Sequence, residues 1–366
     1  MLTVRSDVHR HHHGLELSGG TIAPSTESPD RAERIAAAVI AAGHPTIEPD
    51  ELDRQLLHQV HTAEYLELLE TAWDRWQQLP DPGPAAMGFT WPARGLIDRR
   101  PDDLIGQLGY HSFTADCSIV AGTWDAVSTA AAIATTAADR LIDGGAPTFA
   151  LCRPPGHHAT ADQFGGYCYL NNAALAAQRL LNRGAERVAV LDVDYHHGNG
   201  TQSIFYDRSD VLFVSLHADP AFEFPWFLGR ADETGIGDGD GWNLNLPLPR
   251  GTTGDRFNEA LTVALERIRD GRVDGVVVSL GVDIFVDDPL GDVCDHHAGV
   301  PIDRSGDRRS RHPDHHCPGG RLRGGRHRPE RGLLPRRLEL TATRTGCVRD
   351  QSSCSACCIA ADMCGR

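Results

Sequence analysis

The sequence predicts an α/β fold, a central parallel sheet covered by helices on both faces. Three observations carry this. From about residue 30 to 290 helical periodicity alternates with short apolar runs. The runs are continuously apolar, the pattern of strands buried on both sides. Each run ends in a cluster of polar residues and glycine, and open α/β sheets bind their ligands beyond the carboxyl ends of the strands.

The elements follow in chain order. Asp30 is placed to cap a helix through R-A-E-R-I-A-A-A-V-I-A-A, with Glu33 at the capping-box position and Gly43 ending it. Helical spacing recurs over 64–76, 123–142, 170–183 and 255–269. Between these lie P-T-F-A-L-C (147–152), R-V-A-V-L-D-V-D (187–194), V-L-F-V-S-L-H (211–217) and V-D-G-V-V-V-S-L-G-V-D (273–283), read as strands.

The chain of 366 residues is long enough for one large core. A net charge of −15 argues against nucleic acid as a partner and tolerates cationic ligands. There is no run of roughly 18 apolar residues to span a membrane. The start, M-L-T-V-R-S-D-V-H-R-H-H-H-G, lacks an apolar signal-peptide core, so a soluble, cytoplasmic protein is expected. Cys117, Cys152 and Cys168 are expected to be buried thiols rather than disulfides. The histidines of H-R-H-H-H (9–13) read as an exposed cluster, and G-I-G-D-G-D-G (235–241) as a flexible turn.

The strand ends carry the chemistry. L-D-V-D-Y-H-H-G-N-G places Asp192, Asp194, His196 and His197 where a buried strand stops. Asp194 and His196 can turn toward one point, and Asp283, closing another strand, can add a third donor. Two carboxylates and an imidazole suit zinc, and the oxygen-rich set also suits Fe(II) or Co(II). His157 and His158 follow two prolines and a glycine, which stiffen their loop. Two adjacent imidazoles cannot both be buried cations cheaply, so their pKa values should part. A neutral one can take a proton from the attacking water, and the other can assist electrostatically or protonate the leaving amine. Asp192 is a natural orienter for one ring and Asn199 for the other.

These motifs carry a resemblance. R-P-P-G-H-H-A, F-G-G-Y-C-Y-L-N-N-A-A, L-D-V-D-Y-H-H-G-N-G-T-Q and V-S-L-G-V-D resemble the zinc-dependent histone deacetylase superfamily. E-L-S-G-G, L-E-T-A-W-D-R-W, G-Q-L-G-Y and F-P-W-F-L-G resemble its acetylpolyamine amidohydrolases. The likeness spans about residues 1–290 and implies an arginase/deacetylase-like three-layer α/β fold. It implies hydrolysis of an acetylated amine, an acetylpolyamine ahead of acetyl-lysine in proteins, to acetate and free amine. It assigns zinc to Asp194, His196 and Asp283, and proton handling to His157 and His158. It suggests potassium near Asp192, Asp194, His196, Ser215 and Leu216. Tyr167, beside Gly166, and Phe224 resemble the walls of an acyl tunnel. Glu16 and Asp116 stand where that group places acids at the mouth, while Ile105 stands where a Glu is expected. The two-manganese arginase branch needs an Asp where this chain has Gly281, so one metal is expected. The resemblance also suggests a homodimer through the insertion at 80–110.

The pattern stops near Leu290. Residues 291–366 contain 14 of the 35 arginines (no lysine occurs) and 9 of the 50 acids, so this tail is +5 and the first 290 residues −20. It shows no helix or strand periodicity and is expected to be irregular and disordered. Two explanations stand side by side. One is a Cys-rich appendage using Cys354, Cys357, Cys358 and Cys364 for zinc, at a spacing no common module matches. The other is a shifted reading frame. Back-translated one nucleotide later, residues 311–335 can encode G-I-P-T-I-T-V-Q-E-G-G-Y-V-V-E-D-I-G-P-N-V-V-S-F-L. That segment restores the family's E-G-G-Y, whose tyrosine donates to the developing oxyanion; the chain as written has no tyrosine after Tyr206. On this reading the chain is an impaired enzyme that keeps its metal donors.

Overall fold

The computed structural model describes residues 1–93, 99–283 and 355–360. An eight-stranded sheet runs through it in the order β4-β1-β5-β10-β9-β6-β7-β8. Its strands are β1 (Leu2–Val4), β4 (Thr46–Ile47), β5 (Thr148–Ala150), β6 (Val188–Asp192), β7 (Val211–Ala218), β8 (Asn243–Leu248), β9 (Gly275–Gly281) and β10 (Ser355–Ala360). All pairings are parallel except those of β10, which lies antiparallel between β5 and β9. A hairpin, β2 (Leu15–Ser18) and β3 (Thr21–Pro24), stands apart.

Alternation along β6 makes the three layers. Val188 and Val190 enter one core, with Val211, Phe213 and Val277 from neighbouring strands. Ala189 and Leu191 enter the opposite core, with Leu212, Val214 and Leu216. The first core packs under α3 (Ala63–Gln77), α5 (Thr123–Gly144) and α6 (Asn172–Asn182). The second packs under α8 (Gly254–Gly271), through Ala264 and Ile268. α1 (Pro29–Ala41) covers Phe149 and Leu151. Each fully buried valine contributes about 1.5–3 kcal/mol, which is why uninterrupted apolar runs become central strands.

Local sequence explains the helices. The alanine-rich α5 is flanked by Gly122 and Gly145, both with left-handed backbone. Asn171 caps α6 by accepting the Ala174 N–H at 2.9 Å. α1 departs from expectation at its start: Ser28 holds the N-cap position and Pro29 the first turn, so Asp30 lies inside the helix. Three short elements had no clear signal: α2 (Arg54–Leu57), α4 (Leu104–Tyr110) and α7 (Asn199–Phe205).

In the tail expected to be irregular, Ser355–Ala360 forms β10. The rest of 291–366, with Cys354 and Cys364, lies outside the described residues. Among the described residues no helix is long and apolar enough to cross a membrane. Cys117, Cys152 and Cys168 are buried free thiols. The N-terminal histidines correct the sequence reading, because His9 and His12 are buried while His11 and His13 are exposed.

Candidate metal centre and active site

β6 and β9 are adjacent and parallel, with Asp192 opposite Ser279, so their polar ends meet at one edge of the sheet. Asp194, His196 and Asp283 converge there, with one donor atom from each within 4.8 Å of the others. His196 Nδ1 lies 2.9 Å from Asp283 Oδ2 and 3.4 Å from Asp194 Oδ1. Backbone amides fix the carboxylates: Tyr195 N donates to Asp283 at 3.0 Å and His196 N to Asp194 at 2.9 Å. Burial, with Asp194 adding repulsion, lifts Asp283 to about 6. Burial would drive His196 neutral, but hydrogen bonds to Asp194 and Asp283 override it and carry it to about 10. Crowded buried carboxylates closed by a single imidazole fit a divalent cation. A side chain on Gly281 could not share this space, since its β-carbon would lie 2.5 Å from Asp194 Cγ.

A second group of donors, Asp7, His9 and Glu33, does not fit a metal in the same way. Arg5 pairs with Asp7, and Arg10 spans both oxygens of Glu33 at 2.6 and 2.7 Å. Guanidinium groups already satisfy both acids.

His157 and His158 lie beside the convergent donors, their ring centroids 3.9 Å apart. His157 Nδ1 donates to Asp192 Oδ2 at 2.9 Å, and His158 Nδ1 to Asn199 Oδ1 at 2.7 Å. Burial disfavours both cations, but the charges of Asp192 and Asp194 outweigh it at His157 and raise that ring to about 9. At His158 burial, reinforced by His157 and His196, drives the pKa well below its ordinary value. One neighbour is anionic and the other a neutral amide, and that difference separates the pair.

The loop carrying these rings is braced from behind by residues the sequence reading did not single out. Arg153 is buried and donates to Glu27 Oε1 at 2.9 Å, His9 O at 2.6 Å, and the carbonyls of His12 and Glu27 at 3.1 Å. Asn171 Nδ2 donates to Ala159 O at 2.9 Å, and Asn172 Nδ2 to Pro154 O at 3.1 Å. The N-N of the family-like motif thus ties α6 to the histidine loop.

Phe224 packs edge-on against His158 at 4.9 Å and faces His196 at 6.0 Å. Phe113 stacks on it at 6.3 Å, an aromatic group absent from the sequence reading, and Trp226 of the F-P-W-F-L-G motif meets its edge at 5.5 Å. Gly166 has φ +57°, and a β-carbon there would come within 2.8 Å of His158 Cγ. Its N–H donates to Asp116 Oδ1 at 2.9 Å, and Thr114 donates to the same oxygen. Burial raises the Asp116 carboxyl, and Glu16 adds to the rise. Glu16 is itself buried and accepts the Thr26 N–H at 3.2 Å. The two acids and Tyr167 therefore share one region. Ile105 lies in α4, where the Asp103 side chain caps the helix through the Ile105 N–H.

Asp192 and Ser215 sit side by side on β6 and β7, both fully buried. The Leu216 side chain packs in the core under α8, so only its backbone faces the strand edge. His217, which closes the apolar run 211–217, does not join the donors. Its Nε2 bonds to Gly229 O at 2.8 Å and its Nδ1 to Ser215 Oγ at 2.8 Å. Glu233 secures the same loop, accepting Gly229 N at 2.9 Å and Arg230 N at 3.1 Å. These contacts lie within 215–233, a stretch where no motif marks Glu233.

Donors gathered at neighbouring strand tips, beside two histidines tuned apart, define a metal-dependent hydrolase of the deacetylase class. The histone deacetylase domain model matches residues 25–301, past the boundary read near Leu290, and the chain belongs to that family, which implies a catalytic metal. It is 48% identical over 299 residues to acetylpolyamine amidohydrolase 2 of Pseudomonas aeruginosa, covering 79% of this chain and 85% of that one. It is 50% identical over 276 residues to the acetylpolyamine amidohydrolase of Mycoplana ramosa, covering 75% and 81%. The crystal structure of acetylpolyamine aminohydrolase from Burkholderia pseudomallei superposes with a TM-score of 0.76 at 42% identity, covering 80% of this chain and 85% of that one.

Proposed function

We propose that this chain's site hydrolyses the amide of small acetylated polyamines, releasing acetate and the free amine. The observation that carries the substrate class is the mouth, where buried Glu16 and partly buried Asp116 place two carboxylates beside Tyr167. An alkylammonium chain end suits such a rim; a neutral one gains nothing from it. The names of the relatives point the same way.

Asp194, His196 and Asp283 would hold the metal, zinc first and Fe(II) or Co(II) as alternatives. Bound there, it supplies Lewis-acid polarisation of the amide carbonyl and the attacking water. His158, kept neutral by burial, accepts the water's proton through Nε2 while Asn199 holds its Nδ1–H. His157, kept cationic by Asp192, offsets the charge that develops nearby. Phe224 and Tyr167 shield the acyl chain from water. Asp192, Asp194 and Ser215, with the backbone of His196 and Leu216, offer oxygens suited to potassium. Phe89 and Trp91, 69% and 39% exposed, support a homodimer through the 80–110 insertion, which sedimentation would test.

A second reading keeps the metal and loses the catalysis, and one observation favours it: no tyrosine follows Tyr206. Acetate release by the Zn(II)-loaded chain, from N-acetylputrescine and from an acetyl-lysine peptide, separates these readings. Preference for N-acetylputrescine supports the proposal, and preference for the peptide moves the substrate to proteins. Zinc retention with no release from either favours the binding-only form.

A further inference from the structure

Beside Glu16 and Tyr167 lies a hydroxyl that no motif marks. Thr26 lies just beyond β3, and its Oγ1 shares a 3.0 Å hydrogen bond with the Tyr167 hydroxyl. Its N–H donates to Glu16 Oε2 at 3.2 Å. One residue therefore holds an acid of the mouth with its backbone and the aromatic wall with its side chain.

The hold on Tyr167 matters because of the backbone beneath it. Tyr167 has φ +64°, a left-handed conformation that a side-chain-bearing residue seldom adopts. Gly166, immediately before it, is also left-handed and is pinned to Asp116 through its N–H. Thr26 restrains the far end of the side chain that this unusual backbone carries. Glu16 also acts on the Tyr167 hydroxyl, which completes a triangle of Glu16, Thr26 and Tyr167.

We infer that Thr26 is a positioning residue that sets selectivity for substrates with a distal ammonium group, by holding the Tyr167 hydroxyl beside the Glu16 carboxylate. An ammonium brings three N–H donors and needs several oxygens at fixed places. A carboxylate alone supplies charge; the anchored hydroxyl supplies direction. A neutral chain end of the same length uses neither. The inference rests on the acetylpolyamine reading above.

Calorimetry on the full Zn(II)-loaded chain tests it, with N-acetylputrescine and its neutral isostere N-pentylacetamide as ligands and His158→Ala in every chain, the one with wild-type Thr26 included, to prevent turnover. The wild type should bind the cation more tightly. T26V should shrink that preference about three- to tenfold, the span set by one hydrogen bond, and leave N-pentylacetamide unchanged. T26S should restore the preference. Zinc content reports whether each variant has folded, and T26A carries the same expectation if T26V has not. A T26V chain that weakens both ligands alike, or neither, overturns the role of Thr26 and leaves the substrate reading intact. A wild type that binds both ligands equally overturns both.

Discussion

Asp194 and Gly281 face each other across the β6–β9 edge with no room for a side chain on the glycine: a β-carbon would stand 2.5 Å from Asp194 Cγ and 2.6 Å from its Cα. A carboxylate at 281, as a two-metal site of the arginase kind would need, requires Asp194 to move. The backbone as it stands leaves no place for a carboxylate at 281.

Gly281→Ala should therefore displace a donor without touching one chemically. Zinc affinity is expected to fall about 10–100-fold, the loss seen when groups that orient a ligand are disturbed. Competition with a fluorescent chelator measures it, and circular dichroism checks that the fold persists. Unchanged affinity would mean that Asp194 is not a ligand.

The histidine pair should titrate apart in the metal-free chain. His157 is expected to lose its proton near pH 9, while His158 stays neutral throughout the neutral range. Ring-nitrogen chemical shifts in an NMR titration read both directly. The sign for stability follows from linkage. The folded pKa of His157 lies above its unfolded 6.5, so its contribution is complete below 6.5 and is lost as pH rises through 9. Asp192→Asn should bring the His157 value down and remove that loss. A pair titrating together near 6.5 would contradict the assignment of separate roles.

Arg153 should dominate the stability of the histidine loop. Its guanidinium side chain is 0% exposed and pairs with a Glu27 side chain that is 2% exposed. Arg153→Met strands that carboxylate and is expected to cost about 3–5 kcal/mol in urea unfolding. The double change Arg153→Met with Glu27→Gln should recover part of it. Full additivity of the two single changes would show that the pair is not coupled.

The tail makes its own prediction about rate. If the frame is shifted, the nucleotides around codon 290 will encode the family's strand and tyrosine one base later. A chain with the frame restored should turn over N-acetylputrescine about 10²–10³-fold faster than the 366-residue chain, the effect of one oxyanion donor. Equal rates would remove the tyrosine from the argument.

What the sequence made legible follows from how each feature is encoded. β6, β7 and β9 are continuously apolar because both faces are buried, and that pattern survives in the string alone. β8 reads N-L-N-L-P-L and lies at the sheet edge, where proline and asparagine are tolerated, so no apolar run announces it. Asp194, His196 and Asp283 stood out because charged groups ending buried strands need a reason. Thr26 did not, because its bond to Tyr167 joins segments far apart in sequence. The N-cap of α1 was misplaced by two residues, since Ser28 and Asp30 are both good caps and only the backbone distinguishes them.

β10 separates β5, which leads into the histidine loop, from β9, which leads to Asp283. The three candidate donors need only β6 and β9, which pair with each other directly. Damage beyond the intervening strand therefore reaches the histidine loop without touching the β6–β9 pairing that brings the donors together.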